Sequence, residues 1–204
     1  MRLYEINGDK NNSKLNKILI FFQIALDIIQ EKKTKRNFSP DIHYDLISDI
    51  IGKNFYSPGR LASLNYLINF IYCNFEKDKL KILDLGCGSG RYHNWIKQIL
   101  NNKEFKYLGI DLKENTEWEN HKSENAKFLV KDLKSTKDLN FDFEPNFIFS
   151  QSVLEHAKDD KNLLRILIER YPEAKHLHII PGSISGINYL AHGYRRYNFV
   201  ELKN

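Results

Sequence analysis

Three glycines at alternate positions, Gly86, Gly88 and Gly90, directly follow the apolar stretch Leu80–Leu85. Apolar residues at helical spacing come next, at Trp95, Ile96, Ile99 and Leu100. A strand, a glycine turn and a helix in this order form a cradle for a polar ligand. Glycines let the backbone approach the ligand, and the first amides of the helix present the positive end of its dipole. The pattern therefore predicts a binding site at the carboxyl end of the first strand of an open α/β sheet.

Two common phosphate-binding motifs do not fit this turn. The dinucleotide fingerprint G-x-G-x-x-G fails at its last position, because Arg91 stands there and Gly90 comes one residue early. A phosphate loop of the G-x-x-x-x-G-K-[ST] kind fails as well, since no Lys-Ser or Lys-Thr follows the turn. A nicotinamide-dependent oxidoreductase is therefore a disfavoured alternative.

The pattern Asp84-x-Gly86-x-Gly88-x-Gly90 resembles the first motif of the class I S-adenosylmethionine-dependent methyltransferases. The resemblance extends to about residue 186 and covers roughly half of the chain. It implies S-adenosylmethionine as the cofactor, bound along the turn by Asp84, Gly86, Cys87, Gly88 and Gly90. Orienting the turn without touching the cofactor is an alternative role for Asp84.

A second apolar strand, Phe105–Ile110, ends in Asp111, 21 residues beyond Gly90. An acidic side chain there can accept hydrogen bonds from both ribose hydroxyls of a nucleoside. The resemblance assigns that role to Asp111 and places Leu112 beside the cofactor. Termination of the strand is the alternative role for Asp111.

Later segments continue the resemblance. Phe128–Val130 is a third strand, and the residues after it, Asp132 and Leu133, are implied to bind the adenine through a side chain and a backbone amide. A fourth strand over 146–150 leads into the string Val-Leu-Glu-His, which is common in methyltransferases of the small-molecule and lipid type. The resemblance places Ser150 and Gln151 at the cofactor, and it makes His156 a candidate general base with a structural role as the alternative.

Candidate substrate-binding residues lie on both sides of the cofactor motifs. Tyr56 and Arg60 precede the first strand, where family members commonly carry helices that form a lid over the site. His93 follows the glycines and Arg195 lies in an aromatic, basic string near the end. Packing and an exposed loop are the respective alternatives for these two residues. The pair His176-x-His178 suggests a metal, but no cysteine or carboxylate cluster accompanies it, so we predict no metal site.

The elements that must position these residues form an α/β fold. Five strands, the last over 176–180, alternate with helical patterns, which predicts a Rossmann-like, doubly wound and mostly parallel sheet. We expect an N-terminal helical extension or lid over residues 1–79 and a cofactor-binding domain over residues 80–204. The last two strands of the family are expected to be missing, and the bare edge predicts a homo-oligomer.

The composition agrees with one globular domain and bears on whether the protein binds nucleic acid or a membrane. The 204 residues are 42% hydrophobic and 13% aromatic, enough for a sizeable core. The two cysteines, Cys73 and Cys87, predict free thiols and a cytoplasmic protein, since the first residues do not form a signal peptide. The apolar stretch over 15–29 is too short and too interrupted for a transmembrane segment. A net charge of +5 is mild and does not predict nucleic-acid binding.

The sequence thus predicts an S-adenosylmethionine-dependent methyltransferase acting on a small-molecule, sugar or lipid-type acceptor. Nucleic acid is disfavoured as the acceptor because the base-methylating N-P-P-[YF] motif is absent after the fourth strand. A non-catalytic cofactor-binding or regulatory protein with the same fold remains an alternative.

Overall fold

A parallel five-stranded sheet organises the protein. The computed structural model describes residues 58–75, 80–100, 105–133, 139 and 141–180. Its strands are β1 (Leu80–Leu85), β2 (Phe105–Asp111), β3 (Ala126–Val130), β4 (Phe147–Gln151) and β5 (Lys175–Ile179). The strand order is β3-β2-β1-β4-β5, and every neighbouring pair is parallel. All five predicted strands are confirmed; β1 has the predicted bounds, and those of the other four differ by one or two residues.

The described residues include three α-helices: α1 (Pro58–Asn74), α2 (Arg91–Ile99) and α3 (Asp160–Arg170). Two short 3₁₀ helices cover Thr116–Asn120 and Leu154–His156. Helix α1 begins at Pro58, a favourable start because a proline at the first helical position lacks only an N–H that would have no partner within the helix.

The strand order determines on which face of the sheet α2 and α3 lie. From β1 the chain moves outward in one direction through β2 to β3, and from β4 it moves outward in the other direction to β5. Right-handed crossovers in opposite directions place α2 and α3 on opposite faces of the sheet. Successive residues of β4, which point to alternate faces, are buried from Phe147 to Ser150. The predicted doubly wound, Rossmann-like fold is confirmed.

Aromatic rings join α1 and α2 to the same face of the sheet. Phe147 of β4 stacks on Phe70 of α1 with ring centroids 5.3 Å apart, and Phe149 meets the edge of Tyr92 of α2 at 5.1 Å. The apolar side of α1 is 0–1% exposed at Leu64, Leu67, Ile68 and Ile71. Each such buried side chain stabilises the fold by about 1.5–3 kcal/mol. Helix α1 therefore shares the core of the sheet, while the division between residues 79 and 80 stays a prediction.

The described residues belong to two compact units. The first contains the sheet, α1, α2 and α3 from residue 161 onward. The second contains the segment Ser152–Asp160, with its 3₁₀ helix, and residue 180. The predicted lid before residue 58 and the chain after residue 180 that motivates the homo-oligomer lie outside the described residues. Both stay predictions.

Candidate functional site

The glycine turn after β1 is tied to the neighbouring strand. The backbone φ angles of Gly86, Gly88 and Gly90 are 69°, 56° and 82°. Residues other than glycine rarely adopt this left-handed region. The backbone N–H groups of Gly86 and Cys87 both donate to the Ile110 carbonyl of β2, at 2.8 and 3.0 Å. The turn thus has one defined shape at the carboxyl ends of β1 and β2.

The glycines serve two different purposes. A Cβ on Gly90 would lie 2.8 Å from the Phe128 ring, and one on Gly109 of β2 would lie 2.8 Å from the same ring. Glycine is needed at both positions because the backbone packs tightly against Phe128. Gly88 is exposed, and apart from its chain neighbours no heavy atom of the described residues lies within 4 Å of the place its Cβ would take. Space for a ligand therefore lies beside Gly88.

Asp111 stands at the end of β2 and faces this turn. Its Oδ2 accepts the Gly88 N–H at 2.7 Å, and its Oδ1 accepts the Leu112 N–H at 2.7 Å. A carboxylate offers about four lone-pair sites, so each oxygen can still accept a hydrogen bond from a hydroxyl. The geometry suits the ribose role that the sequence predicts.

Exposed apolar side chains lie near Asp111. Leu112 is 56% exposed and Val130, which pairs with Asp111 across β2 and β3, is 51% exposed. The next residues after β3 include Asp132 and Leu133, which are half-buried. A flat heterocycle would cover such apolar surface while its polar edge reached a carboxylate or a backbone amide. The predicted binding roles of these residues remain predictions.

Sequence reasoning missed Trp118, which contacts the turn from the connection between β2 and β3. Its Nε1 donates to the Gly88 carbonyl at 2.7 Å, although 30 residues separate the two. One signal could have identified it: a tryptophan alone in the otherwise polar 3₁₀ segment Thr116–Asn120 indicates a buried anchor.

Asp84 lies behind the turn and is only 1% exposed. Tyr107 of β2 donates its hydroxyl to Asp84 Oδ2. Burial raises the pKa of the Asp84 carboxyl to about 8; the Tyr107 hydrogen bond opposes this shift, and the charge of Asp111 adds to it. These contacts favour the alternative in which Asp84 orients the turn from within the core.

We expect the Asp84→Asn variant to lose a pH dependence of stability that the native protein has. The folded pKa of Asp84 lies above the value of an exposed aspartate, so the native state holds a proton that the unfolded state releases. The resulting stability is present at low pH and is lost as pH rises through about 8. Between pH 7 and 8 the free energy of unfolding of the native protein should fall by about 1 kcal/mol, measured by urea denaturation.

Asp84 dominates the change in stability in that pH window. Burial raises the pKa of Glu155 to about 7, while burial lowers the pKa values of His93 and His178 to about 4. The two histidines therefore titrate below the window, and Glu155, at its lower edge, contributes a smaller part of the fall than Asp84. The Glu155→Gln variant serves as the matched control and should keep most of the fall between pH 7 and 8. An equal fall in the Asp84→Asn variant would show that another group causes it.

The side chains at the end of β4 contact other elements of the sheet unit. Ser150 is fully buried, and its Oγ lies 2.8 Å from Nδ1 of His178 on β5. Gln151 accepts a hydrogen bond from the Tyr92 hydroxyl of α2 at 2.9 Å and donates to Ser63 Oγ of α1 at 3.3 Å. Gln151 thus fixes the end of β4 against both helices, and the cofactor roles of Ser150 and Gln151 stay predictions.

His93 of the sheet unit is buried, whereas His176 and His178 of β5 are half-buried. His93 is 6% exposed, and its ring centroid lies 4.8 Å from that of Tyr107. This burial favours packing over the predicted substrate contact. His176 Nδ1 lies 3.3 Å from His178 Nε2. Across the described ranges no group of three or more histidine, cysteine or acidic side chains could hold a metal ion.

His156, the candidate general base, ends the 3₁₀ helix of the second unit. Its Nε2 lies 4.0 Å from Oε1 of Glu155, which is 2% exposed. Neither carboxylate oxygen of Glu155 has a hydrogen-bond partner in the structure as described, and Ser152 has a φ of 54°. A strained backbone and a buried carboxyl are typical of functional segments. The catalytic role of His156 remains a prediction.

The other predicted substrate contacts cannot be placed. Tyr56 and Arg195 lie outside the described residues, as does the side chain of Arg60.

Within the described part of the chain, no helix combines the length and the apolar character needed to cross a membrane.

Comparison with known proteins gives a family match. A family model described as "Methyltransferase domain" matches residues 76–180, just over half of the chain. The matched range begins four residues before β1, ends just after β5 and includes the whole glycine turn. No curated protein sequence matches the chain.

Solved structures share the fold. The plantazolicin methyltransferase BpumL, crystallised with a monoazolic desmethylPZN analogue and S-adenosylhomocysteine, superposes with a TM-score of 0.51 at 19% identity, covering 85% of this chain and 66% of BpumL. The YcgJ protein from Bacillus subtilis gives 0.52 at 16% identity, with 70% and 64% covered. The CurJ carbon methyltransferase gives 0.52 at 14% identity, with 70% and 44% covered. The chain thus spans about two thirds of the length of the first two structures.

Proposed function

The chain belongs to the methyltransferase-domain family, and we propose that it transfers a methyl group from S-adenosylmethionine to an acceptor molecule. One observation carries this proposal. The open space beside Gly88 lies at the carboxyl ends of β1 and β2, next to a carboxylate with hydrogen-bonding capacity left for a ribose. Ligands of open α/β sheets bind at such strand ends.

The residues present fit an adenosine-containing cofactor. Asp111 would accept hydrogen bonds from the ribose hydroxyls while keeping those it receives from the Gly88 and Leu112 amides. The exposed side chains of Leu112 and Val130 would be covered by the adenine ring. Asp132 and the backbone of Leu133 would then meet the polar edge of the base. Gly86, Cys87, Gly88 and Gly90 would line the amino-acid portion of the cofactor.

Methyl transfer requires little covalent chemistry from the protein. The cofactor supplies a methyl group on a sulfonium centre, which an acceptor attacks in line. The chain must hold donor and acceptor in that geometry, exclude water and receive a proton if the acceptor is a hydroxyl. We propose His156 as the candidate proton acceptor.

We propose a small-molecule, sugar or lipid-type acceptor. The Val153–His156 string supports this class through its resemblance to small-molecule and lipid methyltransferases. Tyr56, Arg60, His93 and Arg195 remain the proposed contacts, although the burial of His93 argues against its part. A homo-oligomer and a cytoplasmic location also stay predictions from the sequence.

Calorimetric titration tests the cofactor. We expect the protein to bind S-adenosylhomocysteine, the demethylated product, and to give no heat of binding with NAD, because Arg91 replaces the third glycine of the dinucleotide fingerprint. Binding of NAD in place of S-adenosylhomocysteine would contradict the proposal.

A methyl-transfer assay separates an enzyme from a binding protein. Radiolabelled S-adenosylmethionine would be incubated with fractionated small-molecule, saccharide and lipid extracts, with heat-denatured protein as the control. Transfer of the label into one fraction would identify the acceptor class. Binding of S-adenosylhomocysteine without any transfer would support the non-catalytic alternative.

A further inference from the structure

Gly88 is exposed to solvent on one side and held from behind by two side chains. Its N–H donates to Asp111 Oδ2, and its carbonyl accepts the N–H of the Trp118 indole, each at 2.7 Å. Both polar groups of this backbone unit are therefore hydrogen-bonded to side chains of the protein. Since a glycine visits left- and right-handed conformations with similar ease, these two bonds select the observed φ of 56°.

Trp118 is itself held rigidly. It is 2% exposed and stacks on Phe128 with ring centroids 5.5 Å apart and an interplanar angle of 21°. The 3₁₀ helix that carries it is capped by Asn115, whose side-chain oxygen accepts the Glu117 N–H at 2.9 Å. Phe128 is also the ring against which Gly90 packs. These contacts therefore hold the indole N–H in a fixed position.

We infer that Trp118 is a positioning residue of the cofactor site, which acts through the carbonyl of Gly88. The inference rests on the proposed function, since it assumes that S-adenosylmethionine binds beside Gly88. The indole keeps the turn in the conformation that leaves this space open and aims the Gly88 N–H at Asp111. Asp111 is thereby held where it meets both the turn and the ribose.

The effect of the Trp118 hydrogen bond on affinity depends on the fraction of molecules whose turn has the binding-competent conformation. If only a fraction of the molecules has the binding-competent turn, the apparent dissociation constant rises by the inverse of that fraction. A phenylalanine at position 118 keeps an aromatic ring against Phe128 but has no donor for the Gly88 carbonyl. The Gly88 peptide then loses one of the hydrogen bonds that fix its orientation, and binding weakens although no contact to the ligand is removed.

The test compares Trp118→Phe with the native protein by calorimetric titration of S-adenosylhomocysteine. We expect about 5- to 30-fold weaker binding, the effect of one lost hydrogen bond. Trp95→Phe is the matched control, because Trp95 is a buried tryptophan of α2, 8% exposed, that packs against Tyr92. This control should lower the melting temperature and leave the affinity unchanged.

The outcomes are distinct. If the native protein does not bind S-adenosylhomocysteine, the proposed function fails. If the native protein binds and a folded Trp118→Phe variant binds equally well, the indole only stabilises the fold and the inference is overturned. Should the variant not fold, hydrogen exchange of the Trp118 indole N–H in the native protein decides the matter. Exchange that slows on addition of S-adenosylhomocysteine supports the inference, and unchanged exchange overturns it.

Discussion

Replacing Gly88 with valine is expected to weaken the binding of S-adenosylhomocysteine by at least about 100-fold, a loss of about 2.7 kcal/mol, while the protein still folds. The valine side chain would enter the space beside Gly88, where apart from its chain neighbours no heavy atom of the described residues lies within 4 Å of the place that a Cβ would take. The φ of 56° at Gly88 adds strain of about 1–3 kcal/mol for a β-branched residue. Calorimetric titration together with thermal unfolding separates the two effects.

Gly90→Ala is the contrasting variant. Its added methyl group would lie 2.8 Å from Phe128 and 3.0 Å from His121, at a φ of 82°. We expect it to lower the free energy of unfolding by about 2–4 kcal/mol, through overpacking and the left-handed conformation together. Its damage should therefore appear first in stability, whereas that of Gly88→Val appears first in affinity. A Gly88→Val variant that binds as the native protein does would refute the assignment of the site.

Local sequence patterns are enough to predict the strands, the glycine turn and the place of Asp111 in the site. Parallel strands buried on both faces appear in a sequence as short apolar runs, and β1, β2 and β4 each have that character. The three glycines indicate the backbone conformation of the turn, since glycine adopts a positive φ far more readily than other residues. Asp111 can be placed because the carboxyl ends of adjacent parallel strands meet at one edge of the sheet.

Partners that are distant in sequence cannot be predicted in this way. Nothing local to Asp84 indicates that Tyr107 will reach it from β2, so its burial in a hydrogen-bonded pair does not follow from the pattern. The same holds for Trp118 and the Gly88 carbonyl. The contacts of Gln151 are a third example, because its side chain bridges two helices that only the fold brings together. Such contacts depend on register and rotamer, which periodicity does not encode.

His93 shows how a polar residue near a binding motif can belong to the core. It lies in the first turn of α2, near the glycines, which suggests a substrate contact. The helix turns this position toward Phe105 and Tyr107 of β2, whose ring centroids lie 5.6 and 4.8 Å from that of His93. Burial lowers the pKa of His93 to about 4, and His121 and Lys97 contribute to the same shift. The neutral imidazole packs among these rings although its Nδ1 has no hydrogen-bond partner in the described part of the chain, and this burial favours a packing role over the predicted substrate contact.

Replacing Asp111 with alanine is expected to weaken the binding of S-adenosylhomocysteine by about 1–3 kcal/mol, or roughly 5- to 150-fold. The change removes the acceptor for the ribose hydroxyls and also the partner of the Gly88 N–H. Asp142→Ala is a suitable control, because Asp142 is an exposed aspartate outside the site. A loss below a few tenths of a kcal/mol would reassign Asp111 to ending the strand.

A pair of ligands can separate the two contributions to that loss of affinity, the contact with the ribose and the contact with the Gly88 N–H. 5′-Methylthioadenosine and its 2′-deoxy analogue differ by one ribose hydroxyl, so the ratio of their affinities measures recognition of that group alone. The native protein should favour the hydroxylated compound by about 1 kcal/mol or more, and Asp111→Ala should lose this preference. Weakened binding of both compounds with the preference kept would mean that Asp111 acts only by holding the turn through Gly88.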